Sequence, residues 1–239
     1  MTAQRAGRLG IGVIGAGRVG PILALALAGA GHAITGISAI GAESRERAET
    51  LLPGVPVLDV PELVRRSELV LFAIPGSELP GLVSGLTETG AWQPGQLVAH
   101  TAPEHGYGVF APALAAGVIP LALHPAMVFT GTSLDLGRLA GATMVVTAPT
   151  PVLPIGQALA VEMGAEPVVL AEGDRAAYAE AVAAAAEFSA AVVRQATGAL
   201  RELGVARPDR VIGALVRAAV EEELTAAAGL SGDADPEIG

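Results

Sequence analysis

The sequence predicts an α/β protein in which a doubly wound, mostly parallel sheet is followed by a small all-helical domain with one long helix. Short β-branched runs alternate with helical patterns through residue 170, as βαβ units require. The run Leu69-Val70-Leu71-Phe72-Ala73-Ile74 is continuously apolar, as a parallel strand covered on both faces must be. From Asp174 to Leu203 there is no proline and one late glycine, Gly198, so thirty residues form a single helix about 45 Å long.

Strands are expected over 9–14, 33–40, 56–58, 69–74, 97–101, 119–123, 143–147 and 167–170, with helices over 18–29, 43–52, 61–66, 78–87, 109–116 and 151–163. Asp174 is a natural N-cap for the long helix and Gly204 a natural residue just past its end. A second helix begins with Pro208 in its first turn and closes near Gly229. These signals divide the chain into a dinucleotide-binding domain, 8–171, and a helical domain, 172–230, with flexible ends at 1–7 and 231–239. Two alanine-rich helices cannot bury themselves alone, so a homodimer through the C-terminal helices is expected, with an antiparallel helical hairpin in a monomer as the alternative.

Composition removes several chemistries. All 14 basic residues are arginine, and the chain has no Lys, Cys or Asn. Without lysine there is no Schiff base, no P-loop ATPase and no Tyr-x-x-x-Lys dyad. Without cysteine there is no thiolate nucleophile, disulfide, iron–sulfur cluster or thiolate zinc site. A net charge of −10 with no basic cluster argues against nucleic acid and anionic membranes as partners. Residues 19–42 carry no formally charged side chain, but Gly29-Ala30-Gly31-His32 breaks them into two elements rather than one membrane span. No segment reads as a secretory signal, and the expected location is cytoplasmic.

The first strand runs into Gly15-Ala16-Gly17-Arg18-Val19-Gly20, the spacing G-x-G-x-x-G. Gly15 permits the tight turn, Gly17 lets the backbone approach a pyrophosphate, and Gly20 lets the helix pack on its strand. The phosphates would rest on unpaired N–H groups where the helix dipole favours an anion. The second strand ends without the carboxylate that would bind a ribose 2′-hydroxyl; Ser38 stands there, followed by Ser44, Arg45 and Arg47. A hydroxyl and a guanidinium suit a 2′-phosphate, so NADP is favoured over NAD, although Glu43 and Glu46 lie nearby. Arg45 and Arg47 could instead simply solvate a helix surface.

Ligands of open α/β sheets bind beyond the C-terminal strand ends. Those ends supply Ile74-Pro75-Gly76, then His100-Thr101, then His124-Pro125. Ile74 and Pro75 would lie along the cofactor. Thr101 and His124 are best placed to hydrogen-bond a substrate or exchange a proton with it. His100 and His124 could instead satisfy buried carbonyls. Zinc on His100, His105 and His124 is a further alternative that lacks a compact ligand motif.

Ile11-Gly-Val-Ile-Gly-Ala-Gly-Arg-Val-Gly20, the His100-Thr101 strand end, the Leu123-His124-Pro125 turn and Gly164-Ala-Glu-Pro167 resemble a Rossmann-like oxidoreductase family. That family has a helical C-terminal domain of unknown function and lies in the 6-phosphogluconate-dehydrogenase-like superfamily. Pyrroline-5-carboxylate reductases and deazaflavin-dependent NADP reductases are more distant relatives. The resemblance spans about residues 8–225 and implies a nicotinamide-dependent oxidoreductase, usually dimeric, whose long helix closes the cleft. The glycine loop and the histidine cluster then lead to the expectation of NADPH-dependent hydride transfer between the nicotinamide and a C=N or C=O group of a small molecule. The other readings are a non-catalytic NAD(P)-binding or sensing protein and a deazaflavin-linked NADP reductase. The resemblance places His and Asn on the long helix where this chain reads Tyr178-Ala-Glu-Ala-Val-Ala-Ala-Ala-Ala-Glu187-Phe188. Glu187 takes the Asn position and becomes a candidate catalytic group, to hold a cationic imine or donate a proton. It also belongs to an i, i+7 row with Glu180 and Arg194, which reads equally as a solvated stripe.

Overall fold

The computed structural model describes residues 8–232, with side chains through residue 229. The expected flexible segments 1–7 and 233–239 lie outside the described residues, whereas Ser231 and Gly232 complete the last helix. The described residues form two compact units, one through Glu180 and one from Ala181 onward.

The first unit is built on a seven-stranded sheet in the order β2-β1-β3-β4-β5-β6-β7. Its strands are β1 (Gly10–Ile14), β2 (Ala33–Ser38), β3 (Leu69–Phe72), β4 (Leu97–His100), β5 (Ile119–Pro125), β6 (Thr143–Thr147) and β7 (Glu166–Val169). All neighbouring pairs are parallel except β5 with β6, which makes the sheet mostly parallel as expected. Its helices are α1 (Gly20–Ala30), α2 (Ala42–Leu51), α3 (Val60–Arg65), α4 (Leu79–Glu88), α5 (Leu134–Leu139) and α6 (Leu153–Glu162).

Alternation along the strands feeds two cores, one on each face. Ile11, Val13, Leu69, Leu71, Leu97 and Ala99 pack with α1 and α6. Ile14, Val70, Phe72 and Val98 pack with α3 and α4. Period-two side chains covered on both sides are what a doubly wound sheet demands. One aromatic cluster lies on the α4 face, where Phe72 is 5.5 Å from Phe110 and 6.2 Å from Trp92.

Three local expectations change. Residues 56–58 form only a single parallel bridge between Ile37 and Val57. Residues 107–116 form a 3₁₀ segment with Pro112 inside it, because proline lacks the N–H that a regular α-helix would use. The short helix α5, unforeseen, is organised by the buried Asp135 carboxylate, which accepts the Thr130 and Gly131 N–H groups and the Thr130 hydroxyl. Those bonds and Arg138 hold the Asp135 pKa below its usual value against the opposing effect of burial.

Helix α7 (Arg175–Glu202) starts in the first unit and continues into the second, where α8 (Pro208–Gly232) follows. Gly204 takes a left-handed φ of 80°. Its N–H donates to Arg201 and the Val205 N–H to Leu200, which satisfies the last carbonyls of α7. Phe188, Val192, Leu215 and Leu224 are exposed on the two helices. The run Glu172–Glu202 is long and apolar enough to cross a membrane by length and composition alone.

Candidate functional site

The glycine loop adopts the conformation its spacing predicts. Gly15 has φ 103°, and a Cβ there would stand 2.5 Å from the Ala73 carbonyl oxygen. A Cβ on Gly20 would collide with the Gly15 carbonyl. One on Gly17 would meet nothing within 4 Å. The first and third glycines are therefore demanded by the protein itself, while the second leaves space for something else. The N–H groups of Ala16, Gly17, Arg18 and Val19 have no hydrogen-bond partner among the described residues. No side chain caps α1, and its first turn holds no acidic residue. An uncapped helix start with free amides is an anion site.

The Ala16 and Gly17 end of this row borders a cleft of about 870 Å³. Gly15, Ala16, Gly17, Ser38, Ser44, Arg45, Ile74 and Pro75 line it, so eight of the eleven expected cofactor residues meet there. Arg18, Val19 and Gly20 follow in the loop and first turn of α1 without lining the cleft. Ser38 Oγ accepts the Gly15 N–H at 3.1 Å and so holds the turn as well as facing the cavity. The two arginines after β2 separate in role. Arg47 donates to the Ala16 carbonyl at 3.1 Å and pairs with Glu43, which ties α2 to the glycine loop. The Arg45 guanidinium has no partner among the described residues and borders the cleft. The Ser44 hydroxyl donates to the Gly41 carbonyl. Ser77 and Glu78 of the turn after Pro75, which the sequence places along the cofactor, complete this part of the lining. Val57, Leu58, Asp59, Val60, Gly81 and Leu82 also line the cleft and are not signalled as cofactor residues by the sequence.

Thr101 follows β4 and His124 lies near the end of β5, the next strands along after β3, and neither lines that cleft. Thr101 is buried, and its hydroxyl makes a long 3.5 Å contact with the Phe72 carbonyl. His124 is half-buried, and its Nδ1 lies 2.7 Å from the Tyr178 hydroxyl. Burial and the Arg175 charge push its pKa down to about 4, so the ring is neutral at neutral pH. His100 does satisfy a carbonyl: its Nε2–H donates to Gly106 at 2.9 Å, while Nδ1 is buried without a partner. Burial lowers its pKa to about 4 as well. His105 donates to the Gly76 carbonyl at 3.0 Å. Among the described residues no group of three or more His, Asp or Glu side chains gathers to hold a metal.

Arg175 was not anticipated. It is 1% exposed and has no carboxylate partner at ion-pair distance. Its Nε donates to Thr147 at 2.8 Å and its Nη2 to both the Ala122 and Val145 carbonyls at 3.1 and 3.2 Å, while Nη1 is buried without a partner among the described residues. Val145 is the cross-strand partner of His124. Glu172, three residues earlier, accepts the Tyr107 and Gly108 N–H groups and so fixes the loop after β4. Arg175 and Tyr178, three apart, share one face of α7. Glu187 and Arg194 are exposed on α7 within the second unit, and Glu180 of the same row is exposed on α7 at the end of the first.

A Rossmann-like domain model matches residues 2–125, and a model for a domain of unknown function, DUF2520, matches 142–234. The chain belongs to this Rossmann-like family and carries the DUF2520 domain behind it. Among solved structures it is similar to a candidate NADP oxidoreductase from Bacteroides fragilis. That match has 19% identity and a TM-score of 0.72 and covers 90% of this chain and 80% of that one. It is also similar to 1-pyrroline-5-carboxylate reductase from Streptococcus pyogenes, at 16% identity and TM-score 0.63, covering 96% of this chain and 82% of that one. A variant imine reductase from Myxococcus stipitatus, solved with NAD+, matches at 17% identity and TM-score 0.62 over 93% and 78% of the two chains. At these identities the likeness establishes the fold. No curated protein sequence matches the chain.

Proposed function

We propose that this Rossmann-like protein is an NADP-dependent oxidoreductase acting on a C=N or C=O group of a small molecule. The observation that carries the reading is the uncapped start of α1, where the free Ala16 and Gly17 amides border the large cleft that the unpartnered Arg45 also lines. The free amides at the start of α1 would hold the diphosphate, and Ser44 and Arg45 would meet a 2′-phosphate. Val57, Leu58 and Leu82 give the adenine an apolar wall, and Ile74 and Pro75 follow the cofactor toward β4. When bound, the nicotinamide supplies the hydride chemistry; the protein supplies position and electrostatics. Thr101 and His124 stand at the substrate end, one and two strands from β3, about 5 and 10 Å along the sheet edge. The NADP oxidoreductase, reductase and imine reductase among the structural neighbours are in keeping with this reading.

The same reading keeps the protein in the cytoplasm and pairs it with a second copy through α7 and α8, where Phe188, Val192, Leu215 and Leu224 stand exposed. Light scattering at micromolar concentration should return twice the chain mass. For the cofactor, thermal denaturation with NADPH, NADH and no ligand is decisive, because a ligand of the folded state raises the midpoint with its affinity. NADPH should raise it by several degrees and NADH by less. A midpoint indifferent to both would overturn the reading.

A further inference from the structure

We propose that Tyr178 locks His124 as a neutral imidazole presenting its Nε2–H to the substrate, and that the group it receives is a carbonyl oxygen rather than a protonated imine. The inference deepens the oxidoreductase reading and rests on it for the identity of the substrate group; the state of the imidazole stands apart from it.

The 2.7 Å contact joins Tyr178 Oη to His124 Nδ1. A phenol is the better hydrogen-bond acid and an imidazole nitrogen the better base, so the hydroxyl donates and Nδ1 accepts. The ring proton then resides on Nε2, which has no hydrogen-bond partner among the described residues and is not among the buried, unsatisfied atoms. One nitrogen is thus fixed by the protein and the other is left for a ligand at the C-terminal end of β5. Tyr178 acts through His124 and is a positioning residue.

The position of Tyr178 is itself fixed from below. Arg175, one turn earlier on the same face of α7, is bonded to Ala122 on the strand that carries His124 and to Val145 opposite it. A rotation of the first turn of α7 would break both bonds. The titratable groups facing His124 are Arg175 and Tyr178 from α7 and His100 from β4. No carboxylate pairs with His124 among the described residues, and the buried guanidinium opposes a second positive charge.

Chemical selection follows. A neutral N–H donor needs a lone pair, which a carbonyl oxygen offers and a protonated imine nitrogen does not. A cationic substrate would also meet the Arg175 field. A bound reduced nicotinamide would supply hydride to the carbonyl carbon, whose π pair would move to oxygen. The hydrogen bond donated by Nε2–H would strengthen as charge develops on that oxygen, and water would supply the proton that completes the hydroxyl. A preorganised donor of this kind contributes about 10²–10³ in rate.

The test uses ¹⁵N-edited NMR of the imidazoles in the full chain without nucleotide, with His124→Gln assigning the resonance. His124 should show the Nε2–H tautomer throughout pH 6–8. In Tyr178→Phe it should become a tautomer mixture with a raised apparent pKa. An Nδ1–H tautomer, a wild-type ring titrating between pH 6 and 7, or a tautomer unchanged in Tyr178→Phe would each overturn the lock. This measurement needs no cofactor, so its failure is distinct from failure of NADPH to bind. With NADPH, carbonyl probes (aldehydes and 2-oxo acids) should be reduced at least tenfold faster than cyclic imines at pH 7. Turnover confined to the imines would overturn the substrate assignment.

Discussion

The two ends of the candidate site are made in different ways. Beside β1 it consists of backbone: four free amides, a left-handed glycine and a helix start, with side chains only at its margin. Beside β4 and β5 it consists of side chains: Tyr178 holds His124, and Arg175 on the same face of α7 is anchored to backbone carbonyls of β5 and β6. A backbone site tolerates almost no added volume, because its atoms cannot rotate away. A side-chain site tolerates volume but fails when one partner is lost, since each group is oriented by the next.

The largest effect should come from adding volume at the backbone end. Gly20→Val places side-chain atoms on the Gly15 carbonyl and should cost about 3 kcal/mol or more in urea unfolding, with NADPH binding lost in calorimetry. Acid should attack the other end. His100 and His124 have folded pKa values of about 4 against 6.5 unfolded, so between those limits the unfolded chain binds protons that the folded chain refuses. Their contribution is complete above pH 6.5 and lost as pH falls to 4, on the order of 3 kcal/mol for each ring. Urea midpoints from pH 7 to 4 should show the loss, and His124→Gln should make it shallower. A midpoint flat over that range would mean that neither ring is buried neutral.

Arg175→Met should cost about 2 kcal/mol by leaving the Ala122 and Val145 carbonyls unpaired, yet leave NADPH affinity unchanged. That separation is the sharpest test of the division between the two ends. Arg45→Ala should weaken NADPH by about tenfold, close to 1.4 kcal/mol, and leave NADH untouched in parallel titrations. The smallest effect belongs to Glu187→Gln, expected to change stability by less than about 0.5 kcal/mol. A large fall in turnover there would return Glu187 to the catalytic set.

What could be read in advance tracks the range of the forces. Gly15, Gly17 and Gly20 announce their roles because a strand, a turn and a helix start are contiguous; Gly15 and Gly20 answer contacts within a few residues or with the adjacent strand, and Gly17 keeps the loop open. Arg45 and Arg47 look alike in sequence, yet Arg47 is committed to the Ala16 carbonyl and Arg45 is not. Likewise, nothing local to Arg175 announces that it will be buried under strands 28 and 53 residues away in the chain. The 3₁₀ segment at 107–116 escaped because apolar periodicity speaks for burial, while Pro112 and the Glu172 bonds from 64 and 65 residues away set its pitch.

The sequence by itself determined the doubly wound sheet, the glycine turn and the long helix with its Gly204 stop, because hydrophobic period and glycine stereochemistry act over a few bonds. The reversal between β5 and β6, the burial of Arg175 and the pairing of Tyr178 with His124 were decided only in three dimensions. Each joins groups more than twenty residues apart, or sets a strand direction that no local pattern encodes, and hydrogen bonds of that kind exist only once the core has brought their partners together.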